Sequence, residues 1–282
     1  MTRRQAIAAA AARLRQAGID QAWFEAQLLL STALGIDTVE IIAHGEVDLA
    51  PHELEKYNDV VTQRQQRKPL AYIIGKKPFL NWEFYVDEGV LIPRPETELL
   101  VELAIEKLRG LHGPLSLADI GTGSGAIGLS MLKLLPQAKL VAVDISPASL
   151  TVAGHNAQRL KIRNRVTLLQ GDLLEPLKGW PEKFHCITAN LPYIPLQEYI
   201  GLQPEITQFE PETALVSGID GLEHYRRLLP LVPTQLRPGG LIFVEIGKAQ
   251  AGAVAEIFRQ NGFRPTIEKD LAGHPRIVWA KI

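Results

Sequence analysis

Cysteine occurs once in the 282-residue chain, at Cys186, so no disulfide, Cys-x-x-Cys redox pair or zinc knuckle can be built within it. A reducing cytoplasm is the expected setting. Excess charge is also missing: 30 Lys and Arg stand against 31 Asp and Glu, a net charge of −1 that offers no global field for wrapping a nucleic-acid backbone. No segment reaches the ~18 uninterrupted apolar residues of a membrane span. Arg3 and Arg4 before the alanine run Ala8 to Ala12 have the look of a signal peptide, but Arg13 and Arg15 interrupt the run, and alanine favours an ordinary first helix. The seven histidines are scattered without metal-ligand spacing, so no metal is expected.

What is present is ordinary globular material, 46% hydrophobic and 22% charged, at a length that suits one full domain and a smaller one. To about Lys68 the pattern is helical, with Trp23, Ala26, Leu29, Leu30 and Ala33 at spacings of three and four and Gly18 and Gly35 as punctuation. From Phe79 to Ile92 the period changes, and a bridging hairpin is expected. A helix from Glu96 to Leu108 then leads into short apolar runs alternating with helical stretches, the mark of βαβ units. The candidate strands are Leu115 to Asp119, Leu140 to Asp144, Val166 to Gln170, Phe184 to Ala189 and Leu241 to Ile246, with two more after Arg264. Leu191 to Gly221 is proline-bearing and poorly periodic, and is expected to be a long irregular binding loop.

The first of these strands runs into Asp119-Ile120-Gly121-Thr122-Gly123-Ser124-Gly125, with a helix directly after it. Glycines permit a sharp turn and close backbone approach, and the helix N-terminus offers free N–H groups to an anionic group. Asp144 ends the second strand, 21 residues beyond Gly123, where a carboxylate can accept both hydroxyls of an adenosine ribose. Asp172, after the third strand, can meet an adenine amino group. The plain alternative is a tight strand-to-helix connection, with Asp144 capping the next helix through Ser146 and Pro147 and Asp172 as a turn former. A nicotinamide dehydrogenase is the sharper rival, since Gly121, Gly123 and Ala126 also satisfy a relaxed dinucleotide pattern.

After the fourth strand stands Asn190-Leu191-Pro192-Tyr193, at the sheet edge where open α/β proteins bind ligands. The Asn190 side-chain oxygen and the carbonyl of residue 191 can each accept one N–H of an NH₂ group, and Tyr193 can cover a flat substrate. An Asn-Pro turn with a packed tyrosine is the plain alternative. The tetrapeptide resembles the Asn-Pro-Pro-Tyr motif of amino-directed methyltransferases, with Leu191 in place of the first proline. Leucine keeps the carbonyl acceptor but frees φ, while Pro192 biases residue 191 toward an extended conformation.

Pro69 to Gly75, Leu91-Ile92-Pro93-Arg94-Pro95-Glu96-Thr97-Glu98, Phe209-Glu210-Pro211 to Gly218 and Asp220-Gly221-Leu222 carry the resemblance further. Together with the tetrapeptide they are similar to the protein-(glutamine-N5) methyltransferases of peptide chain release factors, the PrmC or HemK family, over nearly the whole chain. That resemblance implies a Rossmann-like seven-stranded S-adenosylmethionine-dependent methyltransferase domain at 96–282, a small helical substrate-recognition domain at 1–75 and a β-hairpin linker at 76–95. It implies a cytoplasmic, monomeric enzyme with S-adenosylmethionine as cofactor and the Gly-Gly-Gln glutamine of class 1 release factors as substrate, with no stable nucleic-acid or membrane binding. The family's cofactor positions fall on Gly121, Thr122, Gly123, Ser124, Gly125, Asp144, Asp172, Leu173 and Asn190, and its substrate positions on Asn190, Leu191, Pro192 and Tyr193. Leu173 stands where some relatives carry an aromatic residue. Arg94 and Glu96 are candidates to line the cleft, while Glu210 and Asp220 serve equally well as loop-ordering caps. Adenine N6 of DNA or RNA presents a similar NH₂ and stays open as a target, as do the dehydrogenase and a non-catalytic binding module.

Overall fold

The structure, a computed structural model, describes residues 1–282. It divides into two compact units, Met1–Lys76 with Gln203–Phe209, and Lys77–Leu202 with Glu210–Ile282.

The first unit is helical. Its opening helix, Arg3–Gln16, starts at a capping box in which the Thr2 side chain accepts from the Gln5 backbone and the Gln5 side chain accepts from the Thr2 backbone. The helix Ala22–Leu34 ends at Gly35 in the left-handed region, as the glycine punctuation predicts. Ala6, Ala10 and Leu14 pack with Ala26, Leu29, Leu30, Tyr57 and Val61 into one core. Trp23 falls outside that stripe and is exposed, because Ala22 and Ala26 hold the buried face. The short helix Pro204–Phe209 joins this unit although it is distant in sequence. Glu205 accepts from Arg64 at 3.0 Å and from Arg67 at 2.6 Å, and Arg64, buried on the helix Pro51–Gln65, also pairs with Glu25 at 2.6 Å.

A two-stranded ribbon, β1 (Lys76–Phe79) and β2 (Trp82–Tyr85), opens at the last residue of the first unit and otherwise belongs to the second, which also carries a sheet of seven strands. These are β3 (Leu115–Ile120), β4 (Ala138–Asp144), β5 (Val166–Gln170), β6 (Phe184–Ala189), β7 (Leu236–Glu245), β8 (Thr266–Lys269) and β9 (Pro275–Lys281), in the order β5-β4-β3-β6-β7-β9-β8. Strands β5 to β7 in that order run parallel and β9 is antiparallel to both its neighbours, giving the expected Rossmann-like seven-stranded α/β fold. Both faces of the sheet are covered, one core gathering Val143, Ile187, Val244 and Tyr225, the other Leu140, Cys186, Phe243 and Leu129.

Two expectations need correction. The hairpin lies at Lys76–Tyr85, ahead of the expected Phe79 to Ile92, because the chain reverses at Leu80, which sits at φ +50 without a turn-forming side chain. Val86, Val90 and Ile92 are buried without forming a strand. The stretch after Leu191 is less irregular than expected. It holds helices Leu196–Tyr199 and Pro204–Phe209, of 4 and 6 residues, both too short to leave a periodic signal.

Candidate active site

The strand order reverses at β3, which has β4 on one side and β6 on the other, so the chain leaving β3 and the chain leaving β6 open a crevice at the carboxyl edge. Ile120 is level with Ala189, and the glycine turn and Asn190 therefore emerge side by side. A cavity of about 380 Å³ lies there. Gly121, Thr122, Gly123, Ser124, Asp144, Asp172, Leu173, Asn190, Leu191 and Pro192 all line it. Of the cofactor and substrate positions named from sequence, Gly125 and Tyr193 do not.

The glycine turn is held by buried polar groups. Asp119 Oδ2 accepts from Thr122 Oγ1 at 2.7 Å and from the Gly128 backbone at 3.2 Å, and Oδ1 accepts from Thr188 Oγ1 at 2.8 Å. Burial pushes the Asp119 carboxyl above its ordinary range against these three donors. Asp119 is thus a strut beneath the turn and not part of the cavity wall. Gly121 has φ +70, and a Cβ there would stand 2.9 Å from Leu191 Cδ2. This contact gives the leucine a place: Leu191 is 4% exposed and seated on the glycine, so packing restrains the residue whose φ a proline would have restrained.

Asp144 closes the floor. Oδ2 accepts from the Gly123 backbone at 2.8 Å and Oδ1 from the Ser146 backbone at 2.9 Å. Burial raises this carboxyl's pKa, while the backbone donors from Gly123 and Ser146 pull it down. Asp172 lines the cavity and forms an ion pair with Arg227, another lining residue. Leu173 beside it is buried at φ +49, a left-handed conformation that is costly for a leucine and that turns its side chain to the wall.

Three residues of the resemblance segments are explained by pairing. Arg94 lines the cavity and donates to Glu210 Oε1 at 2.6 Å, and Glu210 Oε2 accepts from the Ile92 backbone at 3.1 Å. Glu210, 5% exposed, is the buried clasp between the two segments. Glu96 is not part of the wall. Asp220 is a cap, accepting from the Leu222 backbone and from Arg226 at 2.6 Å.

Sequence reasoning missed four residues. Thr97 lines the cavity and accepts from Asn190 Nδ2 at 3.2 Å. Asn156 donates to the carbonyls of Tyr85 and Ser124, both at 2.9 Å, tying the ribbon to the glycine turn. His224 lines the wall and shares a 2.7 Å contact with Ser217 Oγ. Glu245, at the end of β7, is 1% exposed, and Tyr193 Oη reaches its Oε1 at 3.5 Å. The tyrosine ring therefore packs toward β7, where the sequence suggests a cover over the substrate. Thr97 sits within a quoted segment and Glu245 ends a strand, positions a motif search could have questioned; Asn156 and His224 leave no signal.

A seven-stranded sheet with an antiparallel β9, a glycine turn after β3 and an acid ending β4 define a methyltransferase domain. Residues 112–264 match the family described as "Methyltransferase domain", and residues 5–75 match "PrmC N-terminal domain". A methyltransferase crystal structure from Pyrococcus furiosus shares the fold, with TM-score 0.53 and 17% identity over 78% of this chain and 98% of that one. The chain is 42% identical over 282 residues to the release factor glutamine methyltransferase of Moorella thermoacetica, spanning 99% of this chain and 98% of the relative. It is 40% identical over 270 residues to that of Geobacter sulfurreducens, spanning 95% and 93%. The chain belongs to the release factor glutamine methyltransferase family. The family expected from the sequence is borne out, and the nicotinamide reading of Gly121, Gly123 and Ala126 falls with it.

Proposed function

We propose that this protein methylates the side-chain N5 of the glutamine in the Gly-Gly-Gln motif of class 1 peptide chain release factors, with S-adenosylmethionine as methyl donor. The observation that carries the reading is that Asn190-Leu191-Pro192 and the glycine turn line one cavity. An NH₂ acceptor and a nucleoside site thus share one space.

The cavity fits the donor on chemical grounds. Its volume, about 380 Å³, suits a ligand of drug size. Asp144 lines the cavity as an acceptor for ribose hydroxyls, the turn Gly121 to Ser124 presents backbone to the methionine end, and Leu173 with Asp172 provides an apolar and a polar contact for adenine. When bound, S-adenosylmethionine supplies an electrophilic sulfonium methyl. The protein's part is positioning. Asn190 Oδ1 and the residue 191 carbonyl accept the two N–H groups of the glutamine amide, holding its plane and favouring the positive charge that develops on nitrogen. The amide nitrogen is a poor nucleophile because its lone pair is delocalised, so alignment lowers the barrier most. The surplus proton leaves to water or a carbonyl.

The helical unit serves substrate recognition, and the enzyme works as a cytoplasmic monomer without stable nucleic-acid binding. The test is transfer of labelled methyl to a purified release factor, beside its Gln→Ala variant at the tripeptide, duplex DNA and RNA. Label on the wild-type factor alone is expected. Label on nucleic acid instead would move the function to adenine N6.

A further inference from the structure

The residue 191 carbonyl can accept a substrate N–H only if it keeps one direction. A peptide plane turns about the two Cα atoms that flank it, here through ψ of residue 191 and φ of residue 192. Pro192 locks the second rotation at about −65°. The first stays open unless the chain is held on both sides. Before the carbonyl, Leu191 is seated on Gly121 and Asn190 Nδ2 donates to Thr97 Oγ1. After it comes Tyr193, whose side chain reaches away to Glu245 and leaves its backbone to be anchored by something else.

Gln250 supplies that anchor. It is the half-buried residue that opens the helix Ala251–Gln260, and three backbone groups engage its side-chain amide. Oε1 accepts from the Gly247 N–H at 2.9 Å, while Nε2 donates to the Tyr193 carbonyl at 2.8 Å and to the Gly221 carbonyl at 3.3 Å. A backbone N–H can only donate and a backbone carbonyl can only accept, so these partners fix which end of the amide is which. Reversed, the amide would set its oxygen against two carbonyl oxygens and its NH₂ against an N–H.

The clasp joins the chain after β6, the turn before the helix Glu223–Leu228 and the chain after β7. Its fit depends on a glycine. Gly221 sits at φ +75, and a Cβ there would stand 2.3 Å from the Tyr193 carbonyl oxygen and 2.5 Å from Gln250 Nε2. Beyond Tyr193 the chain is already paired, Ile194 N–H donating to Leu215 and Ser217 N–H to Ile194. The tetrapeptide is therefore suspended between the Gly121 contact and the Gln250 clasp.

We infer that Gln250 is a positioning residue for methyl transfer, holding the Tyr193 carbonyl so that the Leu191 carbonyl keeps the direction in which it accepts the substrate N–H. This rests on the reading of that carbonyl as an acceptor of the glutamine amide.

The experiment measures the single-turnover rate and KM for methyl transfer to a release factor at about pH 8, with cofactor affinity by calorimetry and a melting curve for each variant. Gln250→Glu keeps the shape and the acceptor for Gly247, and as a carboxylate loses both donations. Gln250→Met keeps the length and loses all three bonds. Each is expected to lower the rate about 10-fold or more while cofactor Kd and KM for the factor change less than about 2-fold. Gly221→Ala drives a methyl group into the same clasp, and combined with Gln250→Glu it should slow transfer little more than either change alone. Wild-type rate in Gln250→Glu overturns the inference, even where Gln250→Met is slow, because the Gly247 bond and not the Tyr193 carbonyl then carries the effect. Cofactor affinity that falls as far as the rate overturns it too, as do losses that multiply in the double variant. If the wild type itself leaves the release-factor glutamine unlabelled, the reading beneath falls first, a result distinct from any of these.

Discussion

The residues that matter most act through what they already hold. Asn190 spends its donor end on Thr97, leaving its oxygen as the end free to accept. Asn190→Ala is expected to leave cofactor affinity nearly intact and lower turnover by roughly 10²-fold or more, since losing one well-placed transition-state partner costs about that much. A single-turnover assay at saturating cofactor checks it, and an unchanged rate removes Asn190 from the chemistry. Asp144 accepts from the Gly123 and Ser146 backbones and lines the cavity. Asp144→Ala is expected to weaken S-adenosylmethionine binding by about 10- to 100-fold in calorimetry, because it removes the ribose acceptors and leaves the Gly123 N–H of the turn without its partner. Equal loss of affinity for a ribose-lacking methionine analogue would assign the whole effect to the turn.

At the scale of elements, short segments do what long ones cannot. The segment Pro204–Phe209 leaves the sheet unit and is held in the helical unit by Glu205. Burial alone would raise this carboxyl's pKa, yet the hydrogen bonds from Arg67 and Arg64 outweigh it and hold the group below its ordinary range. Glu205→Ala is expected to cost about 1–2 kcal/mol, discounted for partial exposure and for the partner Arg64 keeps in Glu25. Amide hydrogen exchange should quicken at 203–209 first, and protection equal to the wild type there would contradict the anchoring role. The long apolar runs of β3, β4 and β6 were legible because buried parallel strands need unbroken apolar stretches. The reversal at Leu80 and the six-residue helix were not, since one depends on a residue forced into the left-handed region and the other on arginines more than a hundred residues away.

For the whole molecule, Glu245 links stability to pH. Its folded pKa, about 7, lies above the ordinary carboxylate value of 4.5, so the folded state binds more protons than the unfolded state between those values. The sign follows: its contribution is fully present below about 4.5, falls as pH rises, and is lost above about 7, a swing of about 3 kcal/mol. The melting temperature of the wild type relative to Glu245→Gln should fall across this window and flatten beyond it. A constant difference from pH 4.5 to 8 would show that the carboxyl does not titrate there.

By itself the sequence determined what is local in the chain: the βαβ alternation, the glycine turn with Asp144 beyond it, and the Asn190 to Tyr193 tetrapeptide. Each is carried by residues close in sequence, where periodicity and turn chemistry are written directly. Tertiary structure decided which distant groups meet. It seated Leu191 on Gly121, turned Tyr193 toward Glu245, buried Glu210 between two loop segments, and placed Thr97 within reach of Asn190. A hydrogen bond depends on a few ångströms across the fold and not on separation along the chain, so no spacing rule could have announced those partners.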